Sequence, residues 1–151
     1  MTNDLKKEEC IELLHHNYIA RLAYISGACP YILPITYFLE EDGKSIIGYT
    51  SKGHKISAMR ENAQVCLQVD EIKSMDKWGS VQVQGRFEEL HGSDAKYHFS
   101  KFAQGVKYIV SRKEKTNPAF ISDFSSKVNT GDIPIVYRIN VMDIKGKFRD
   151  A

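Results

Sequence analysis

Hydrophobic and polar positions along this chain follow two rhythms, and the switches between them mark its elements. The cleanest run is SVQVQGRFEE, 80 to 89. Val81, Val83, Gly85 and Phe87 take one face, and Gln82, Gln84, Arg86 and Glu88 the other, the period of a half-buried strand. VCLQVDE, 65 to 71, alternates in the same way. YIARLAYIS (18 to 26), YILPITYFLE (31 to 40), SIIGYT (45 to 50) and IVYRINVMDI (135 to 144) are β-prone runs. Gly27 and Pro30 bracket the first turn, and Asp42-Gly43 tips the turn in EEDGK, 40 to 44. Pro34 cannot donate to a ladder, so its strand has an edge, a bulge or a break there. Helical spacing replaces alternation over 4 to 17, 54 to 62 and 93 to 112. Asn117-Pro118 reads as a further helix start, KSMDK (73 to 77) as a loop, and SRKEKTN (111 to 117) as a solvated loop.

Six strands in antiparallel succession, joined by tight turns and flanked by helices, predict a mainly β fold. Closure into a small barrel would remove the exposed strand edges. A length of 151 residues and the absence of any linker or repeat favour one domain over 1–151.

Composition narrows the function classes. Lys+Arg 21 against Asp+Glu 19 leaves a formal charge of +2, too balanced for a nucleic-acid binder read from charge. The outward face of 80 to 89 lacks the mixture of basic and aromatic residues that such a barrel needs. No run approaches the roughly 18 apolar residues of a membrane span, and MTNDLKKEEC is not a secretory signal. Cys10, Cys29 and Cys66 form neither a disulfide framework nor a zinc pattern, which fits a reducing cytoplasm. His15 and His16 diverge by about 100° on a helix and do not converge on one metal ion. Cys29 beside Pro30 has no neighbour in sequence to activate it.

The candidate chemistry sits in GYTSKGHK, 48 to 55. A P-loop reads G-x-x-x-x-G-K-[ST], but here Lys55 comes one residue late and Ile56 replaces the hydroxyl. The antiparallel surroundings also differ from the parallel sheet of a P-loop. Another anion site is available. The chain leaves a strand, turns through Gly53 and enters a helix, whose first N–H groups lack partners. Thr50, Ser51, His54 and Lys55 add side-chain donors suited to a phosphate monoester. An ordinary solvated turn has the same composition, and this stretch alone leaves both readings open.

The wider pattern resembles the pyridoxamine 5′-phosphate oxidase-like flavin proteins, in their nitroimidazole-reductase-type branch. PYILPITYF, EEDGKSIIGYTSKGHKISAMREN, VCLQVDE, WGSVQVQGRFEEL and the closing VMDIKGKF carry the resemblance, with LLHHNYIARLAY at the front. It implies a six-stranded antiparallel split β-barrel that binds FMN between two subunits of a homodimer. By position, His54 and Lys55 would hold the phosphate, with Thr50, Ser51 and Gly53 beside them. Pro34, Ile35, Thr36 and Tyr37 would line the isoalloxazine, partly through backbone groups. Ser80 falls where the oxidase has a flavin-contacting glutamine, and Trp78 would approach the ring from the partner subunit. Two departures stand out: His54 replaces the arginine of the usual basic pair, and Leu33 replaces a further phosphate-binding arginine. The oxidase's C-terminal substrate signature is also absent, so pyridoxamine phosphate oxidation is not implied.

Such a protein would take hydride from NAD(P)H and pass electrons to a small acceptor such as a nitroaromatic, a quinone or another flavin. Flavin does that chemistry, and the protein binds and orients. The alternative on the same fold is a carrier or sensor of flavin or haem; some relatives take a deazaflavin. No side chain is singled out as catalytic. Tyr37 is either a hydrogen-bond donor to the acceptor or a packed core residue. Trp78 has a plain alternative as a plug at the barrel end.

Overall fold

The run Cys29–Leu39 is where the sheet changes partner. The computed structural model describes residues 1–114 and 135–150. In it, β3 (Cys29–Thr36) pairs antiparallel with β2 (Ile19–Ser26), whereas β4 (Phe38–Leu39) pairs with β5 (Ser45–Thr50). Tyr37 lies at the break and its N–H donates to Tyr18 O at 2.9 Å. One continuous run thus reaches from one end of the sheet to the other, as a closing barrel requires. The full order is β3-β2-β6-β7-β8-β5-β4, with β6 at Gln64–Ser74, β7 at Lys77–Glu89 and β8 at Ile135–Asp150. A two-residue β1 (Asn3–Asp4) pairs with β8.

The six long strands fall on the six strand-like runs of the sequence; the two-residue β1 is additional, and the run 31 to 40, expected as one strand, is divided at Tyr37 into β3 and the two-residue β4. The run 73 to 77 is not a loop. β6 and β7 extend through it, with a register shift between Ile72 and Ser74. Both faces of this hairpin tip meet solvent, since Ile72 and Met75 are 69% and 83% exposed, so no alternation marks it. Residues 111 to 114 belong to α3 (Gly92–Glu114) rather than to a loop, and the Asn117-Pro118 helix start lies outside the described residues. β8 runs six residues beyond its predicted end. Gly146 continues it because a Cβ there would lie 2.6 Å from Cys10 Sγ, so only glycine lets the first helix pack so closely.

That helix, α1, is shorter than predicted, at Lys7–His15. Glu9 accepts the Lys6 N–H at 2.9 Å at its start, and Asn17 Nδ2 donates to Leu13 O at 2.8 Å at its end. It buries Cys10 and Leu14 over the barrel end where β6 finishes and β7 begins. Helix α2 (His54–Glu61) leads straight into the start of β6 and buries Ile56 and Met59 at the other end. Between them, Ala20, Leu22, Leu67, Val81, Val83 and Ile139 fill the interior at 0% exposure.

A second core forms where α3 sets Phe99, Phe102, Val106 and Val110 against Ile47 and Val136. Glu40, at the end of β4, holds α3 through His98 Nδ1 at 2.6 Å and Lys101 Nζ at 3.6 Å. Among the described residues no helix is long and apolar enough to cross a membrane.

Helix α3 carries Gly105 against the Phe38 ring, where a Cβ would meet ring carbon at 2.1 Å. Gly→Ala in a helix normally stabilises by up to about 1 kcal/mol. Here overpacking, at about 1–3 kcal/mol, reverses the sign. Gly105→Ala should lower the urea midpoint, and an increase would show that the Phe38 contact is soft.

Candidate functional site

Side-chain alternation gives the strands β3, β2, β6 and β7 an outward face that no described element covers. Across it, Pro34, Arg21, Gln68 and Gln82 fall in one row by register. Thr36 and Ser80 share the same face. Gln68 Nε2 donates to Ser80 Oγ and to Asp70 Oδ2, both at 2.9 Å, and Arg21 reaches Asp70 at 3.4 Å. Apolar side chains surround this polar strip, with Ile19, Ile25 and Ile32 at 39%, 37% and 68% exposure.

The proline in β3 now has an explanation. Tyr37 N–H bonds to Tyr18 O, just ahead of β2, so by the two-residue period Tyr37, Ile35 and Leu33 turn their backbone groups inward along the pair. Pro34 and Thr36 turn theirs to the unpaired edge, where a missing N–H costs nothing. Side chains divide the same way. Pro34 and Thr36 point out, whereas Ile35 (8% exposed) and Tyr37 (0%) point into the core. Ile35 and Tyr37 therefore do not line an external site with their side chains. The Tyr37 hydroxyl donates to Leu14 O at 2.7 Å, and burial pushes its pKa far above the ordinary phenol value. Tyr37 is thus not a donor to an external acceptor; it fastens α1 to the barrel.

The chain leaves β5 and enters α2 beside Tyr24 of β2 and Tyr31 of β3. Gly53 is the N-cap, in extended conformation with φ 170°, and supplies no side chain to the first N–H groups of the helix. Thr50 Oγ1 donates locally to Ser51 O at 3.0 Å. Lys55 is half-buried, and desolvation lowers its pKa below the ordinary lysine value. Among the described residues no carboxylate lies within ion-pair distance of it. His54 is exposed, but its ring is held: Nδ1 lies 2.9 Å from the Tyr24 hydroxyl, and Tyr31 meets it edge-on at 4.7 Å.

Tyr24 and Tyr31 were not legible as site residues, because both read as strand hydrophobes. The β2–β3 register pairs them on one face, and only the folded approach of α2 brings His54 to them. The structure does not bring Trp78 to this end of the chain. Trp78 pairs with Ile72, whereas the His54 end lies near Val65, about 20 Å away along extended β6. Trp78 lines a cavity of about 230 Å³ with Leu5, Leu13, Phe148 and Arg149, beside α1. Among the described residues no three His, Cys, Asp or Glu side chains gather as a metal site, and all three cysteines are free.

The sequence profile described as pyridoxamine 5′-phosphate oxidase matches residues 6–146. The chain belongs to the pyridoxamine 5′-phosphate oxidase family. Among its relatives, an uncharacterized protein of Rhizobium meliloti is 37% identical over 94 residues, 62% of this chain and 61% of that one. The match thus spans about three-fifths of the relative's length. A crystallised FAD-binding protein from Mesorhizobium loti superposes with a TM-score of 0.76 at 24% identity, over 99% of both chains. A crystallised candidate 5-nitroimidazole antibiotic resistance protein from Bacteroides thetaiotaomicron gives 0.69 at 12% identity, over 98% of this chain and 87% of that one. These likenesses establish the fold, the split barrel of the pyridoxamine 5′-phosphate oxidase family.

Two substitutions separate fastening from function in this family member. Tyr37→Phe leaves the buried Leu14 carbonyl without its partner and should cost about 1–3 kcal/mol in urea unfolding. An unchanged midpoint would free Tyr37 from that role. Lys55 works the other way. Its folded pKa is depressed, so the penalty is full at pH values below that folded pKa and is relieved as pH rises toward the unfolded value. Lys55→Met should raise the urea midpoint at pH 7, with the gap narrowing toward pH 10. A lower midpoint at pH 7 would mean that the ammonium has a partner in the folded protein.

Proposed function

We propose that this protein is an FMN-binding, NAD(P)H-dependent oxidoreductase that works as a homodimer. Lys55 carries the reading: a half-buried ammonium without a counter-ion stands beside the uncapped N-terminus of α2. A phosphate monoester would satisfy both the cation and the helix N–H groups. His54 would add a third donor, and Ser51 lies within the same turn. From there the flavin ring would run along the outward face of the sheet, over Pro34 and Thr36 at the free edge of β3.

Residues of that face have definite tasks under this reading. The unpaired backbone groups of Pro34 and Thr36 orient the ring edge. The Ser80–Gln68–Asp70–Arg21 strip gives the polar rim of the ring a hydrogen-bonding floor. A second copy of the chain, seated on Ile19, Ile25 and Ile32, would exclude water and bring its own Trp78 end toward the ring. When bound, the flavin would accept hydride from NAD(P)H and deliver electrons to a small acceptor such as a nitroaromatic or a quinone. FAD, the ligand of the Mesorhizobium loti protein, carries a phosphate at the same point and is the second reading.

The purified protein should be yellow, sediment as a dimer and release FMN on denaturation, with anaerobic NAD(P)H bleaching it within the turnover time. Released FAD would favour the second reading, and a colourless protein that cannot be loaded with either flavin would reject both. A yellow protein that NAD(P)H does not bleach would be a carrier. Lys55→Ala should weaken FMN binding by about 1.5–3 kcal/mol, the worth of a hydrogen bond to a charged group, or roughly 10- to 150-fold.

A further inference from the structure

The imidazole of His54 is held from behind. Tyr24, 6% exposed within β2, places its hydroxyl 2.9 Å from Nδ1. A buried phenol O–H needs an acceptor. Among the described residues, Nδ1 is the one that the structure gives it. The phenol therefore donates, and the proton of the neutral ring resides on Nε2. Tyr31 limits rotation: it stacks on Tyr24 at 5.5 Å and 12°, and meets the imidazole at 4.7 Å and 63°.

We propose that Tyr24 is a positioning residue that fixes the tautomer of His54, so that Nε2–H always faces the phosphate; this rests on the reading that His54 lies at the flavin phosphate. When the ring is neutral, the phenol O–H donates to Nδ1. When the ring is charged, Nδ1–H donates to the phenol oxygen. Nε2 keeps its proton in both states. An unsupported histidine would instead divide between two neutral tautomers, one of which turns a lone pair toward the phosphate and repels it. The buried phenol thus lets a histidine act as a standing donor, as an arginine does by its own chemistry. The titratable groups in contact with the ring are the phenols of Tyr24 on β2 and Tyr31 on β3; Lys55 follows it on α2.

Long-range ¹H–¹⁵N correlation spectra of the flavin-free protein at pH 8.5 test the tautomer without any cofactor. The expected wild-type spectrum shows one His54 species, with bare Nδ1 and protonated Nε2. Tyr24→Phe, which keeps the ring stack, should show a mixture. In the same variant, FMN affinity at pH 8.5 should fall about tenfold while riboflavin affinity holds, and Tyr24→Phe with His54→Arg should recover FMN binding. A wild-type protein that binds FMN but carries the proton on Nδ1 overturns the role of Tyr24 alone. So does Tyr24→Phe with an unchanged tautomer. A protein with the Nε2–H tautomer that ignores FMN overturns the flavin reading itself, and the phosphate role with it.

Discussion

A half-buried cation without a counter-ion is the constraint around which this structure is best understood. Folding takes the Lys55 ammonium partly out of water, lowers its pKa and supplies no carboxylate in return. Next to it, the first turn of α2 begins at a glycine that caps nothing. Each feature costs stability alone, and one anionic ligand would relieve both. Several acids elsewhere in the fold have partners of their own. Glu40 binds α3, Glu71 binds Asn17, Glu88 binds Arg138, and Glu89 binds Arg60. The N-terminus of α2 thus offers a half-buried positive charge that no carboxylate among the described residues compensates.

The barrel sets that end beside Tyr24 of β2 and Tyr31 of β3. The partner exchange at Tyr37 closes the sheet and turns Pro34 and Thr36 outward along a free edge. The same closure leaves β3, β2, β6 and β7 with an outward face of alternating polar and apolar rows. Helices α1 and α2 plug the two ends, and α3 covers β5 and β8 elsewhere.

Much of this was legible in the sequence because alternation is strong where one face is buried. The period-two runs of β6 and β7 and the helical spacing of α3 follow directly from that contrast. Legibility failed where the contrast vanished. The tip of β6 and β7 is solvated on both faces, and Gly146 in β8 resembles a terminator although it exists to admit α1. At the site, GYTSKGHK displayed its donors in sequence, so Thr50, Ser51, Gly53, His54 and Lys55 could be named. Tyr37 was harder: a strand tyrosine reads alike whether its hydroxyl serves a ligand or, as here, the Leu14 carbonyl. Tyr24 and Tyr31 were invisible as site residues because their link to His54 spans 30 and 23 positions and exists only after the hairpin pairs and α2 docks.

A crystal structure of the FMN-loaded protein addresses the central claim most directly. The phosphate oxygens should lie about 2.7–3.2 Å from Lys55 Nζ and His54 Nε2, with the ring against the outward face of β3 and β2 and a second copy of the chain closing over it. A phosphate bound anywhere other than the N-terminus of α2, with Lys55 left in solvent, would contradict it.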